Sequence, residues 1–548
     1  MTIVTFYKKE LEKRVGKIDD KMKLMIDMFG TPLDGENETE ISIEVFPNRP
    51  DLLSLEGFCR SFLVYLGKKK NKAYEVKDSG EKLIVSSSPR EWPYAFACII
   101  KGLVFDDATI KRVIDIQEKL GGGYLRKRKK GGIGLYPLDK ITFPITFKGM
   151  KPEDIVFRPL EFPKAINGRQ ILSQHPTGRT YGEICKSWEK FPVFIDKKEV
   201  IMSMPPIINS HDVGKVDLET KAVFLEATGN DAAALLKSIT MIATALAEMG
   251  GTIYSMSCKQ ANGKVFVVPD LQPDQVGFDV SYINKNLGLS LSEKEIIGYL
   301  EKMGIGVSKN SKGLVALVPA YRTDILHSID LVEEVAIAYG YHNFTPEFAK
   351  IATIGEESKS SVLKKRLRQL LTGLGLLEVS TFHLSTKEKQ FKQVGVKEFK
   401  EKLIEVIDSK TEHNVLRESL FAQAIGVLSE NSDAAYPQKI FEIGKVFFWE
   451  PKSETGVGEV ERLCITFCHE RAGFTEMKQI FDYLMRMFSL PYEIREGEHE
   501  GFIEGRVGEI FISGKSVGFL GEVKPIILKN NKIGVPVSCL EMELGVFL

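Results

Sequence analysis

Asp324, Asp330, Glu333 and Glu334 sit close together in one short stretch, 321–341, and they are the groups here best suited to hold a cation. Asp330, Glu333 and Glu334 stand at i, i+3 and i+4, which sets all three on one side of a helix, and Asp324 lies in the turn just before it. Carboxylates so close repel one another, so a positive group should offset them. A hard, oxygen-seeking ion such as Mg²⁺ is one candidate, and a basic partner surface is another. The plain alternative is that acids near a helix start complement the helix dipole and that an acidic helix face is solvated. The second chemically suggestive group is the run Arg126, Lys127, Arg128, Lys129 and Lys130. It reads either as a solvated loop or as a phosphate-attracting patch for nucleic acid. Cys464, Cys468 and His469 have the residue types of a metal site. They lie in a strand-like run with no second ligand pair, and core packing is the expected role.

The chain that must position these groups has 548 residues, too many for one core, and its length suggests roughly three or four domains. Lys and Arg total 74 and so do Asp and Glu, so any nucleic-acid contact must come from a local patch, not from net charge. Seven scattered cysteines form neither a zinc pattern nor a disulfide framework, which points to a reducing compartment. Met1-Thr-Ile-Val-Thr-Phe-Tyr carries no secretory apolar region, and no run is long enough to span a bilayer. A soluble, cytoplasmic protein without a membrane partner is expected. There is no P-loop, dinucleotide-binding glycine turn, zincin helix or nucleophile elbow.

Four segments are expected from changes in pattern. Residues 1–85 form an N-terminal α/β domain, in which an alternating strand ends at Pro47 and Asp51 is placed to cap a helix running to Leu66. Residues 86–268 form an α+β domain, with helices over 109–120 and 231–249. Residues 269–346 contain a short helix over 282–287, a capping box from Ser292 to Glu295 opening a helix to Met303, and two strands around a turn at 309–313. That helix–turn–helix–hairpin order is shared with winged nucleic-acid-binding folds. The carboxylate helix follows, with an apolar stripe from Val332, Val335, Ile337 and Ala338 and Gly340 at its C-terminal cap. Residues 347–548 open with an amphipathic helix carrying Leu363, Leu367, Leu370, Leu371 and Leu374, followed by a strand over 377–384. Later strands over 440–449, 462–468, 507–512 and 516–520 suggest an antiparallel sheet with helices on one side. The fold class is therefore multidomain α+β.

Several stretches, in order along nearly the whole chain, resemble the β-subunit family of phenylalanine–tRNA ligase, of the archaeal and eukaryotic kind. They are Asn48-Arg-Pro-Asp-Leu-Leu-Ser with Glu56-Gly, Arg126-Lys-Arg-Lys-Lys with Asp139-Lys-Ile, Met204-Pro-Pro-Ile-Ile-Asn-Ser and Glu226-Ala-Thr-Gly. Val318-Pro-Ala-Tyr-Arg-Thr-Asp, Asp330-Leu-Val-Glu-Glu-Val-Ala-Ile-Ala-Tyr-Gly-Tyr and Gly521-Glu-Val-Lys-Pro complete the set. The resemblance implies an α₂β₂ enzyme that joins phenylalanine to tRNA(Phe), with ATP bound and synthesis performed by the α subunit. It implies for this chain structural support, tRNA contacts and an editing-type domain that hydrolyses misattached tyrosine. It also implies that Asp324, Asp330, Glu333 and Glu334 hold a Mg²⁺ shared with α. The last segment is then a class II synthetase-like sheet without an active site. Its C-terminal end has no arginine for ATP, although Arg417-Glu418 is similar to another ATP-handling motif.

By the same resemblance Ser203, Glu226 and Thr228 are the candidate editing residues, or else simply hydrogen-bonding groups at strand ends. The chain departs from the family here. Tyr136 and Pro137 stand where a histidine and a carboxylate are usual, which removes groups that could orient water. Glu226 stands where aspartate is common, and its extra methylene could crowd a tyrosine-hydroxyl site. The other readings are a tRNA- or DNA-binding scaffold without catalysis and a stand-alone hydrolase of mischarged tRNA.

Overall fold

The alternation in Ile41-Ser-Ile-Glu-Val builds the strand Glu40–Val45, central in a three-stranded sheet between Thr2–Tyr7 and Leu33–Glu36. Ile41, Ile43 and Val45 face inward and are buried. The chain then turns through the 3₁₀ segment Pro50–Leu52 into the helix Leu55–Tyr65. Asp51 does not cap this helix, contrary to expectation. The 3₁₀ turn after Pro50 postpones the helix start, so Ser54 is the cap, its side chain accepting from the Gly57 N–H. Asp51 is instead buried in a two-bond ion pair with Arg49. The computed structural model describes residues 2–86, 89–311, 313–349, 351, 353–395, 403–407 and 409–548, and these divide into two compact units, Met1–Phe348 and Ala349–Leu548.

A ten-stranded sheet dominates the first unit among the described residues. Its central strand Thr252–Lys259 pairs with Tyr94–Lys101 on one side and, in parallel, with Val76–Val85 on the other. Val76–Val85 also pairs in parallel with Ile145–Met150. Val76–Val85, at the end of the expected segment 1–85, pairs within this sheet and not within the N-terminal three-stranded one. The apolar helix Ala232–Glu248, capped by Asp231, packs against the sheet strands Ala222–Gly229 and Tyr94–Lys101. The order of strands places Gly131–Pro137 at one end and Ile208–Asn209, preceded by Ile201–Met204, at the other. The sheet curls until those two ends meet, and the seam between them forms the first candidate site.

The rest of the first unit keeps its expected order. Helices Val280–Leu287 and Glu293–Lys302 precede the hairpin Gly306–Asn310 and Gly313–Val318, which the strand Asp274–Phe278 extends to three strands. Ser292 and Glu295 form both bonds of the capping box. Lys312 of the expected turn lies outside the described residues. The helix Ser328–Tyr339 follows, ending at Gly340, whose φ of +95° suits a residue without a β-carbon.

In the second unit a seven-stranded sheet carries helices on both faces, not one. Leu463, Ile465 and Phe467 face helices Lys359–Gly373 and Phe474–Met487. Cys464 and Cys468 face helices Phe421–Glu430 and Pro525–Asn530. The run Leu463-Cys-Ile-Thr-Phe-Cys, apolar but for Thr466, is buried at every position, as befits a strand covered on both faces. The strand Val537–Glu543 runs between Val457–Cys468 and Lys515–Val523 in the middle of this sheet. The strand expected over 377–384 reduces to Leu377–Glu378 and a separate Leu384–Ser385. All seven cysteines are free and buried. Among the described residues no helix is long and apolar enough to cross a membrane.

Candidate functional site

Register brings the seam residues together. Glu226 pairs with Gly134, and Phe224 with Tyr136, on adjacent antiparallel strands, so these side chains share a face with Thr228. The Tyr136 hydroxyl crosses the seam. It lies 2.7 Å from Ser203 Oγ, 3.2 Å from Asn209 Oδ1 and 3.2 Å from Glu226 Oε1. Asn209 Nδ2 donates across the same seam to the Leu135 carbonyl at 3.3 Å. Gly134 makes room for this network, since a β-carbon there would collide with Glu226 Oε1 and lie 2.8 Å from the Tyr136 oxygen.

Protons must be counted in so crowded a site. The phenol has one proton and three oxygen neighbours, and Asn209 Oδ1 has none to give. The network is satisfied when the phenol donates to Asn209 and accepts from Ser203 and from a protonated Glu226. Burial raises the Glu226 carboxyl to about 8, the Tyr136 hydroxyl bond opposing, so it holds its proton at neutral pH. Burial, with Glu226 adding to it, also drives the Tyr136 phenol well above its ordinary range. A cavity of about 460 Å³ opens beside the network, with Glu226, Asn209, Gly132, Ile133, Leu135 and Gln117 in its walls. Glu226 Oε2 and Thr228 Oγ1 are buried without a protein hydrogen-bond partner. The structure thus joins two of the three expected residues, Ser203 and Glu226, through Tyr136, and leaves Thr228 beside them. Asn209 was not expected; its signal is a polar residue closing Met204-Pro-Pro-Ile-Ile-Asn.

The carboxylate stretch is arranged differently from its spacing. Arg322 lies between Asp324 and Glu334, with contacts of 2.6 and 2.8 Å, and both of those carboxylate side chains are almost fully buried. Burial works against these charges. Glu334 and Asp324 nonetheless hold Arg322 well above its ordinary value, and Arg322 holds Asp324 below its own. The positive group that the acids require is thus an arginine of the same chain, two residues before Asp324. Asp330 turns back to accept from the Leu326 and His327 N–H groups at 2.8 Å, and Glu333 accepts from the Tyr341 hydroxyl at 2.7 Å. The four do not form one ligand shell, and no group of three or more metal-binding side chains is assembled among the described residues. They do not fit a four-carboxylate Mg²⁺ site. The stretch instead ties the unit together. Thr323 Oγ1 donates to the Asn48 carbonyl, and Arg60 lies 3.5 Å from the centre of the Tyr321 ring.

The basic run is not an open loop. Arg126, Lys127 and Arg128 form a left-handed turn, with φ of +52°, +52° and +62°, at a cost of about 1–2 kcal/mol per residue. Two of the five cations are committed internally. Arg128 donates to the Pro206 and Ile207 carbonyls and pairs with Glu118, and Lys130 pairs with the helix cap Asp231 at 2.7 Å. Arg126, Lys127 and Lys129 remain exposed.

In the second unit Arg417 is 1% exposed. It pairs with Glu442 at 2.7 Å and donates to Thr381 and to the Lys445 carbonyl, so it is a core residue with no access to a nucleotide. Glu541 accepts from Ser419 and from the Leu420 and Phe421 N–H groups at the start of a helix, and pairs with Arg462.

Two family models match the chain: the tRNA synthetase B5 domain over residues 276–341, and the phenylalanyl-tRNA synthetase beta chain CLM domain over 346–544. The phenylalanine–tRNA ligase beta subunit of Archaeoglobus fulgidus is 34% identical over 553 aligned positions, which cover 100% of this chain and 99% of that one. That of Pyrococcus abyssi is 36% identical, covering 91% and 89%. The crystal structure of an N-terminal fragment of the beta subunit from Pyrococcus horikoshii is 32% identical and superposes with a TM-score of 0.59, covering 62% of this chain and 99% of the fragment. With full-length likeness at this level, the chain belongs to the phenylalanine–tRNA ligase beta-subunit family.

Proposed function

We propose that this chain is the β subunit of a cytoplasmic α₂β₂ phenylalanine–tRNA ligase, in which the α subunit binds ATP and joins phenylalanine to tRNA(Phe). The end-to-end likeness to the Archaeoglobus fulgidus beta subunit, over 100% and 99% of the two chains, carries this reading. The chain's own arrangement supports a non-synthetic role, because Arg417 is consumed by Glu442 inside the second unit. That unit is then a class II synthetase-like sheet that packs against α. The residues of 269–346 form the winged-like segment between it and the editing-type domain. Arg126, Lys127 and Lys129 supply tRNA phosphate contacts, while Arg128 and Lys130 hold the turn that presents them.

The editing-type pocket is the seam cavity, with Glu226 in its wall, Ser203 joined to Glu226 through the Tyr136 hydroxyl, and Thr228 two residues along the same strand as Glu226. Glu226, kept protonated by burial at neutral pH, acts there as a hydrogen-bond donor and not as a general base. Mg²⁺ would polarise phosphate oxygens of ATP in such an enzyme, and this chain's four carboxylates are not assigned to it. The test is co-expression with the α subunit. The complex should aminoacylate tRNA(Phe) with phenylalanine, and the isolated chain should show no phenylalanine-dependent ATP–pyrophosphate exchange. Exchange by the isolated chain would overturn the assignment.

A further inference from the structure

We infer that Tyr136 is a resident occupant of a phenol niche, filling from within the place an external tyrosine side chain would need. The niche has two parts. An apolar slot holds the ring, which is fully buried with its centroid 5.7 Å from that of Phe224. A polar end, formed by Ser203 Oγ, Asn209 Oδ1 and Glu226 Oε1, surrounds the hydroxyl at 2.7–3.2 Å. Three polar groups from three separate strands converge on one hydroxyl, and Gly134 gives up its side chain to allow it. Such a site is built to recognise a phenol, since a ring without the hydroxyl leaves buried polar groups unpaired.

The adjoining cavity, about 460 Å³, has room for an aminoacyl group, but the hydroxyl-reading end at its wall is already in use. A tyrosyl group entering there finds Ser203, Asn209 and Glu226 Oε1 already engaged by Tyr136, and of this polar end only Glu226 Oε2 and Thr228 Oγ1 are buried without a protein partner. The consequence for the hydrolytic reading, on which this step rests, is that the wild-type chain does not select a tyrosyl ester. Tyr136 instead works as a clasp holding the two ends of the sheet together.

The test uses the full chain and p-cresol, the tyrosine side chain as a free molecule, with toluene as the analogue lacking the hydroxyl. Tyr136→Ala should melt below wild type and regain stability with p-cresol but not with toluene, while the wild-type melting point does not move. Tyr136→Phe, which keeps the ring, should melt below wild type and not respond to p-cresol. A p-cresol shift in wild type, equal rescue of Tyr136→Ala by toluene, or a Tyr136→Phe chain as stable as wild type would each overturn the niche. In the second arm the complex with α is given tyrosyl-tRNA(Phe). Release of tyrosine at the uncatalysed rate is expected, and catalysed release by the wild-type complex overturns the inference whether or not Tyr136→Ala folds. Cresol rescue with no hydrolysis by any variant would leave the niche standing and remove only the hydrolytic reading.

Discussion

Glu226→Gln isolates the proton that the seam holds. Folding moves this carboxyl from its ordinary 4.5 to about 8, so between those values the folded chain keeps a proton that the unfolded chain has released. The folded state then binds more protons than the unfolded state, and stability falls as the pH rises. The contribution of the protonated group is fully present below about pH 4.5 and is lost as the pH passes about 8. At about 1.36 kcal/mol per pH unit, the ceiling over that interval is about 5 kcal/mol. Glutamine keeps the shape and a donor but does not titrate. Urea unfolding of the first unit, followed from about pH 5 to about pH 9, should show wild type losing stability relative to Glu226→Gln by at least ~2 kcal/mol, with the two close at the acid end. Parallel curves across that range would refute both the protonated carboxyl and the proton count built on it.

Removing the Arg322 guanidinium by Arg322→Met leaves Glu334 buried without its cation and Asp324 with only the weaker field of Arg49, and should cost about 3–5 kcal/mol in urea unfolding. Addition of EDTA to the wild-type chain should leave its melting point unchanged, because the compensating charge is a side chain; a large drop would restore the metal. At the helix Leu55–Tyr65, Ser54→Ala should cost about 1 kcal/mol, the loss of a cap. Asp51→Ala should cost more, since it strands the buried Arg49; equal costs would contradict the two roles. For the basic run, changing Arg126, Lys127 and Lys129 together to alanine should weaken tRNA binding by the complex and flatten its salt dependence without lowering the melting point. Arg128→Ala should lower the melting point, as its bonds to Pro206 and Ile207 close the seam.

Local signals in this chain were legible because they act over a few residues. The Ser292–Glu295 capping box, the glycine after Tyr339 and the leucine repeat at 363–371 each specify a helix from within one or two turns. The alternation at 41–45 likewise specifies a strand buried on one face. The motif order along the chain also marked the family. Asp51 shows the limit of this reasoning, because whether a residue caps a helix depends on where the preceding turn ends.

What the sequence determined by itself is which residues are present and how each short segment folds. The four carboxylates, five cations and three editing candidates were all visible there. Only the tertiary structure decided their partners. Arg322 neutralises two acids that spacing alone would pair with a metal, and Arg128 and Lys130 leave the phosphate-binding patch for internal contacts. Tyr136 reaches Ser203, 67 positions away, because the sheet curls until its ends touch. Charges and hydrogen-bond donors act over a few ångströms in space, and distance along the chain does not encode that separation.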